Sequence, residues 1–263
     1  MNIAIFCNGL RGLKIANFLK KTYNIKLIFL SKKYLKKNIP KIFKNNKLKY
    51  QIISNINSKK ICNHIKKQEI DINLIAGFPF IFKNELINSA ILGTINLHAG
   101  RLPQYRGGSP LNWQIINNEK KVGVSIIKVN EKIDTGELLA QSNFRISSKD
   151  NIADVTRRAE NEFLKIVKKG IKNLIIKNYL KKKGKDCFYR QRKPSDSEIN
   201  LKRMTALEIK NLIRSCQKPY KAFYKKNKKK IYVNEVILLK RKDIKLINKN
   251  NIFYCRKGQI AFK

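Results

Sequence analysis

Short apolar runs alternate with helical stripes through the first hundred residues. Ile3 to Cys7 is an unbroken apolar run, Asn8-Gly9-Leu10-Arg11-Gly12 punctuates it, and Leu13, Ala16, Phe18 and Leu19 then recur at helical spacing. Lys26 to Leu30, Tyr50 to Ser54 and Ile72 to Gly77 read as further buried strands, with Ile61, Ile65 and Ile70 tracing a helix before the last of them. Strand, helix and strand in succession predict a parallel sheet covered by helices. Between the second and third strands, Ser31 to Lys49 holds eight lysines; it reads as a basic arm or a solvated loop, and the loop is favoured.

The pattern continues differently after residue 93. Thr94 to His98 is a short strand, Val122 to Val129 alternates as another, and the turn Glu131 to Gly136 leads into Leu138 to Phe144. Asp150 is the expected N-cap of a long amphipathic helix marked by Ile152, Val155, Ala159, Phe163 and Ile166. Lys181-Lys182-Lys183-Gly184-Lys185 reads as a linker or exposed turn. Thr205-Ala206-Leu207-Glu208 is a capping box with Met204 and Ile209 as its hydrophobic staple, so a helix starts at Ala206 and runs through Leu212 and Ile213. Ile231 to Leu239, Ile252 to Cys255 and Gln259 to Phe262 look like short strands. The expected organisation is an α/β domain over residues 1–180, a linker over 181–204, and a small helix-plus-strands unit over 205–263.

Composition adds one anomaly. Of 263 residues, 59 are Lys or Arg and 17 are Asp or Glu, a net charge of +42, while the 43% hydrophobic content excludes wholesale disorder. Such an excess suits nucleic acid or an anionic membrane. It also suits A+T-rich coding DNA, because Lys, Asn and Ile dominate and Arg is scarce beside Lys, whereas sites that grip phosphate in a fixed geometry favour Arg forks. Residues 93–141 hold six basic and four acidic residues, a net of +2, so the other +40 lies elsewhere. No apolar run approaches the roughly 18 residues that span a bilayer, and the N-terminus lacks the charged region of a signal peptide. A cytoplasmic protein is expected. Cys7, Cys62, Cys187, Cys216 and Cys255 form no C-x-x-C pair, which fits reduced thiols and argues against a cysteine zinc site.

Candidate chemistry gathers in the low-charge stretch. The first turn offers Gly9 and Gly12 without G-x-G-x-x-G, and no acidic residue follows about twenty positions on, so the dinucleotide fingerprint fails. In a strand over 94–98 the period of two puts Ile95 and Leu97 on one face and Asn96 with His98 on the other. An amide and an imidazole then project together at a strand end, where open α/β sheets bind ligands. His98 reads otherwise as a core histidine; His64, the second of two, reads as surface. Gly107 and Gly108 permit close backbone approach to a ligand, and Ser109-Pro110 can open a helix holding Trp113. Asp134 by itself is an ordinary turn-former.

Taken together, Asn96-x-His98, the loop ending Arg106-Gly107-Gly108-Ser109-Pro110, and Asp134-Thr135-Gly136 resemble the signature of formyltransferases that use 10-formyltetrahydrofolate. The resemblance runs from the first strand to Tyr220 and includes Cys187 to Asp196, Asn211-Leu212-Ile213-Arg214 and Lys218-Pro219-Tyr220. It implies a Rossmann-like formyltransferase core with a mainly parallel sheet, followed by a truncated barrel-like tail. The implied catalytic residues are Asn96, His98 and Asp134. An amine attacks the formyl carbon; the Asn96 amide suits the resulting oxyanion, His98 takes or shares the amine proton, and Asp134 orients the imidazole. The implied folate pocket involves Phe78, Phe80, Ile81, Lys132, Ile133 and Asp134, although Phe78, Phe80 and Phe82 read equally as core. No metal is implied.

The acceptor is read from finer features. Ser109-Pro110-Leu111-Asn112-Trp113 resembles the branch that formylates nucleotide-linked amino sugars, with Arg101, Tyr105, Arg106, Gly107, Gly108, Ser109, Tyr189 and Arg190 on the acceptor side and Arg192 a further candidate. The tail of about 59 residues is short for the initiator-tRNA branch. Initiator methionyl-tRNA is the alternative acceptor, favoured by the charge and by the Lys-rich segments at 32–49, 181–185 and 225–230. A homodimer fits either reading, and a non-catalytic nucleic-acid-binding protein leaves the three motifs unexplained.

Overall fold

The computed structural model describes residues 1–217, 220–239 and 252–262. The Lys218-Pro219 part of the resemblance lies outside them. In chain order the first elements are β1 (Asn2–Phe6), α1 (Leu10–Leu19), β2 (Asn24–Ser31), α2 (Ile39–Asn45), β3 (Gln51–Ile53), α3 (Lys59–Lys67), β4 (Ile72–Ile75), α4 (Asn84–Ile87) and β5 (Thr94–His98). There follow β6 (Arg106–Gly107), α5 (Pro110–Ile116), β7 (Lys121–Lys128), β8 (Leu138–Arg145), α6 (Ile152–Ile175) and β9 (Phe188–Tyr189). The last are α7 (Ala206–Arg214), β10 (Ala222–Lys226), β11 (Lys229–Val233), β12 (Val236–Leu239), β13 (Ile252–Tyr254) and β14 (Gln259–Phe262).

A seven-stranded sheet runs in the order β3-β2-β1-β4-β5-β7-β8. The pairings from β3 through β5 are parallel, as the strand-helix succession predicts, and β5 pairs antiparallel with β7. The residues cluster into two compact units that interleave along the chain: 1–106, 123–143 and 159–187 in the first, 107–122, 144–158 and 188–263 in the second.

The first unit carries the body of the sheet. β1 is wholly apolar inside, and Phe6 stacks on Phe29 at 4.8 Å while Phe78 and Phe82 meet it edge-on. The Lys-rich segment from Ser31 to Lys49 is no plain loop, because it contains α2. Ile39 and Phe43, one helical turn apart, are buried at 3% and 0% exposure, and Pro40 sits in the first turn, where its missing N–H costs nothing.

The second unit is built around α7. Thr205 Oγ1 accepts from the Glu208 amide at 3.2 Å and Glu208 Oε2 accepts from the Thr205 amide at 2.7 Å, the reciprocal cap read from sequence. Those bonds hold the Glu208 carboxyl below its usual range. Its support is therefore present above the ordinary carboxylate range and is lost as pH falls through the lowered value. Thr205→Ala is expected to lower stability by about 0.5–2 kcal/mol, read as a reduced urea midpoint with unchanged slope.

Three local expectations need correction. The N-cap of α6 is Asn151, whose Oδ1 accepts from the amides of Ala153 and Asp154 at 2.8 and 3.2 Å; Asp150 instead accepts from Ser147 N and pairs with Arg158. The buried line of α6 passes through Val167 rather than Ile166. The expected strand from Ile231 to Leu239 is two strands, broken at Asn234-Glu235, and β10 pairs with β11 in a hairpin whose Asn227 and Lys228 both have positive φ.

Candidate active site

The site grows from the end of β5 in the first unit. Parallel pairing with β4 and antiparallel pairing with β7 fix the strand on both sides and set Asn96 opposite Ile127 and His98 opposite Ser125. The period of two then sends both polar side chains the same way, onto the turn that carries Asp134. Asn96 Nδ2 donates to Asp134 Oδ1 at 3.4 Å, and His98 Nδ1 lies 3.3 Å from Asp134 Oδ2. His98 and Asp134 side chains are only 5% and 9% exposed, so their electrostatic coupling is little screened by water.

His98 Nε2 lies 2.6 Å from the Tyr105 carbonyl. A carbonyl only accepts, so Nε2 carries the hydrogen and Nδ1 is the ring atom that faces the carboxylate. Gly100 makes this contact possible, since a Cβ there would fall 2.5 Å from both His98 Nε2 and Tyr105 O. The loop is pinned from β7 and β8: Ser125 Oγ donates to Gly100 O at 2.7 Å and accepts from Leu102 N, while Gln141 Nε2 donates to Leu102 O. Tyr105, placed on the acceptor side by the motif, is buried at 3% exposure and reaches the histidine through its backbone.

Asn96 and Asp134 line a cavity of about 130 Å³. All six residues expected around the folate (Phe78, Phe80, Ile81, Lys132, Ile133 and Asp134) border it, as does Phe82, together with Ile75, Ile127, Val129, Asn130 and Glu131, which the motifs do not single out. Phe78 and Phe82 serve both alternatives, being buried in the core at 8% and 5% exposure while lining the cavity. Aromatic and aliphatic side chains interspersed with Asn96, Asn130, Glu131, Lys132 and Asp134 fit a flat heteroaromatic ring with polar edges, and the volume suits such a ring rather than a whole drug-sized ligand.

Asp134 sits in the left-handed region at φ 53. Its turn is tied down by residues that sequence reasoning assigned elsewhere. Arg106, expected on the acceptor side, donates through Nε to Ile133 O at 3.2 Å and through Nη1 to both Asp186 carboxylate oxygens. Within the segment 181–185 only Lys182 is not exposed, and its Nζ donates to Thr135 O at 2.6 Å. Burial lowers the Lys182 pKa and the Arg106 charge adds to this, while Asp186, Asp134 and Glu137 oppose it.

Of the remaining acceptor-side residues, Arg101 lies in the first unit and Gly107, Gly108, Ser109, Tyr189, Arg190 and Arg192 lie in the second. Gly107 has φ 92, and the Gly108 amide donates to Tyr189 O at 2.8 Å; a Cβ on Gly108 would lie 2.5 Å from the Gln191 backbone, so both glycines allow close strand contact. Ser109 precedes Pro110 at the start of α5, and its Oγ accepts from Arg192 N. The Trp113 and Tyr189 rings lie 5.5 Å apart, and Trp113 Nε1 donates to Arg190 O. Arg190 forms a fork on Asp196, and buried Arg192 donates to Asp196 O, Ser197 Oγ and Ser215 O.

Residues 26–169 match the family model described as Formyl transferase, more than half of the sequence, and the chain belongs to that family. It is 31% identical over 220 residues to the bifunctional polymyxin resistance protein ArnA of Wigglesworthia glossinidia brevipalpis, covering 81% of this chain and 32% of that protein. It is 30% identical over 179 residues to the methionyl-tRNA formyltransferase of Clostridium tetani, covering 66% and 57% respectively. The chain thus spans less than two thirds of the length of these relatives. A sugar N-formyltransferase from Shewanella sp FDAARGOS_354 superposes with a TM-score of 0.72 at 24% identity, covering 91% of this chain and 99% of that one. An N-formyltransferase from Helicobacter canadensis, in complex with folinic acid and dTDP-3-aminofucose, superposes with a TM-score of 0.71 at 19% identity, covering 99% and 98%. These two likenesses show the shared fold. No helix among the described residues is long and apolar enough to cross a membrane.

Proposed function

We propose that this chain transfers a formyl group from 10-formyltetrahydrofolate to the primary amine of a nucleotide-linked amino sugar, in the cytoplasm. The observation that carries formyl transfer is that Asn96 and His98 each lie within 3.4 Å of Asp134, which together with Asn96 lines a ring-sized cavity. When bound, the folate supplies an activated formyl carbon. Asn96 donates an amide N–H toward the negative charge that develops on the formyl oxygen; one N–H meets Asp134, and the amide has a second to offer. His98 accepts the amine proton at Nδ1, because Nε2 is committed to Tyr105 O. Asp134 accepts from Nδ1 once the proton is there and so stabilises it, and that proton can then pass to the folate nitrogen as its bond to the formyl carbon breaks.

The sugar acceptor is supported by Ser109-Pro110-Leu111-Asn112-Trp113 and by two neighbours that match nearly end to end, one described as a sugar N-formyltransferase and one an N-formyltransferase in complex with dTDP-3-aminofucose. The Trp113–Tyr189 ring pair offers a nucleobase an aromatic face. Initiator methionyl-tRNA is the second reading, supported by the Clostridium tetani relative and the net charge of +42. Purified protein with 10-formyltetrahydrofolate is offered a panel of nucleotide-linked amino sugars or charged initiator tRNA. Formylation of a sugar supports the first reading; turnover of the tRNA alone replaces it with the second. A companion expectation concerns salt. Transfer to the sugar varies weakly with ionic strength, whereas a steep, linear fall of tRNA affinity in log salt would mark the Lys-rich surface as an RNA site.

A further inference from the structure

The carbonyls of Ile133 and Thr135, the residues before and after Asp134, are held by cations. Ile133 O accepts from Arg106 Nε at 3.2 Å and Thr135 O accepts from Lys182 Nζ at 2.6 Å. Between them Asp134 adopts φ 53, a left-handed conformation that Asp tolerates better than most residues with a Cβ but that is still less favourable than an ordinary one. The cations are themselves anchored by one stretch of chain. Leu180 N donates to Leu138 O at 2.7 Å, Gln104 Nε2 to Lys183 O at 2.5 Å, and Arg106 N to Cys187 O at 3.0 Å, while Asp186 takes the Arg106 fork. Residues 180–187 are therefore a strap tied along its length to the turn and to the loop after β5. Hydrogen bonds from charged donors are about twice as strong as neutral ones, so two of them resist the relaxation that the left-handed residue favours.

We propose that Lys182 and Arg106 are positioning residues that act through Asp134, clamping the carbonyls of Ile133 and Thr135 so that its carboxylate stays on Asn96 and His98. This rests on the formyl-transfer reading above. A carboxylate that swings away leaves the imidazole unsupported, and a displacement of about 1 Å can cost a hundredfold in rate. Partial burial of the Lys182 ammonium strengthens its bond to Thr135 O.

The test compares Lys182→Met and Lys182→Arg, each in the wild-type and Asp134→Asn backgrounds, by single-turnover rate, donor KM and amide hydrogen exchange. Lys182→Met should lower the rate about ten- to hundredfold with little change in donor KM. It should also speed exchange at residues 133–136 while β1 and β4 keep wild-type protection, a readout independent of the folate. Lys182→Arg should recover most of the loss. In the Asp134→Asn background Lys182→Met should cost nothing further, since two residues acting as one unit are not additive. A wild-type rate and wild-type exchange in Lys182→Met overturn the clamp, as does an equal loss in both backgrounds. A wild-type rate in Asp134→Asn removes the catalytic role of Asp134 and the clamp with it, whereas absence of any transfer by the wild type overturns the formyl-transfer reading and leaves exchange at residues 133–136 to decide the clamp.

Discussion

His98→Ala is expected to lower kcat for formyl transfer by about 10²–10⁴-fold, the usual contribution of a positioned proton acceptor. The geometry says why no neighbour substitutes. His98 Nδ1 and the Asp134 carboxylate lie 3.3 Å apart, His98 is 5% exposed, and its other nitrogen is spent on Tyr105 O. Water drawn into the space left by the ring is not held by Tyr105 in the same orientation. The fold should survive, because the substitution removes one buried hydrogen bond, worth about 1–3 kcal/mol when the partner is left unsatisfied. Thermal unfolding separates the two effects: a modest fall in midpoint with a loss of transfer is the expected pair.

Gly100→Ala should be nearly as damaging, although residue 100 carries no chemistry. Its Cβ would lie 2.5 Å from His98 Nε2 and from Tyr105 O and 3.0 Å from His98 Cδ2, so the methyl group and the Nε2–carbonyl bond cannot coexist without a shift. Ser125 and Gln141 hold the loop, which leaves the imidazole as the partner that moves. The expected loss in kcat is on the order of a hundredfold. Binding of 5-formyltetrahydrofolate, followed by titration, should stay close to wild type, because Gly100 does not border the cavity. A variant with wild-type kcat would mean that the Nε2 contact does not set the ring's position.

Much of this architecture is legible in the amino-acid sequence, for local reasons. Residues 3–7 and the largely apolar residues 72–76 are buried on both faces, so they announce themselves as strands, and the box at Thr205 and Glu208 is a pattern four residues long. Asn96 and His98 are readable because one strand's period relates them and histidine is rare in this chain. What the sequence hides is hidden by chemistry that leaves no residue signature. Tyr105 acts through a backbone carbonyl, which any residue has. Lys182 is one of 59 basic residues, and only its burial against Thr135 O distinguishes it from its exposed neighbours. The helix α2 is concealed by lysines around a single buried pair, Ile39 and Phe43. Asn151 and Asp150 are both good caps, and the choice depends on Arg158, which takes Asp150.

The charge of +42 takes a smaller place in this account than its size suggests. Asn96, His98 and Asp134 come from the stretch of the chain where charge is nearly balanced, and the two cations that matter to them serve by binding peptide carbonyls. The most direct measurement follows tetrahydrofolate and formylated acceptor together, for wild type and His98→Ala, with 10-formyltetrahydrofolate and nucleotide-linked amino sugars. The account predicts that wild type releases the two products in equal amounts and that His98→Ala releases neither at a comparable rate. Failure of wild type to formylate any amine, or wild-type turnover by His98→Ala, would contradict it.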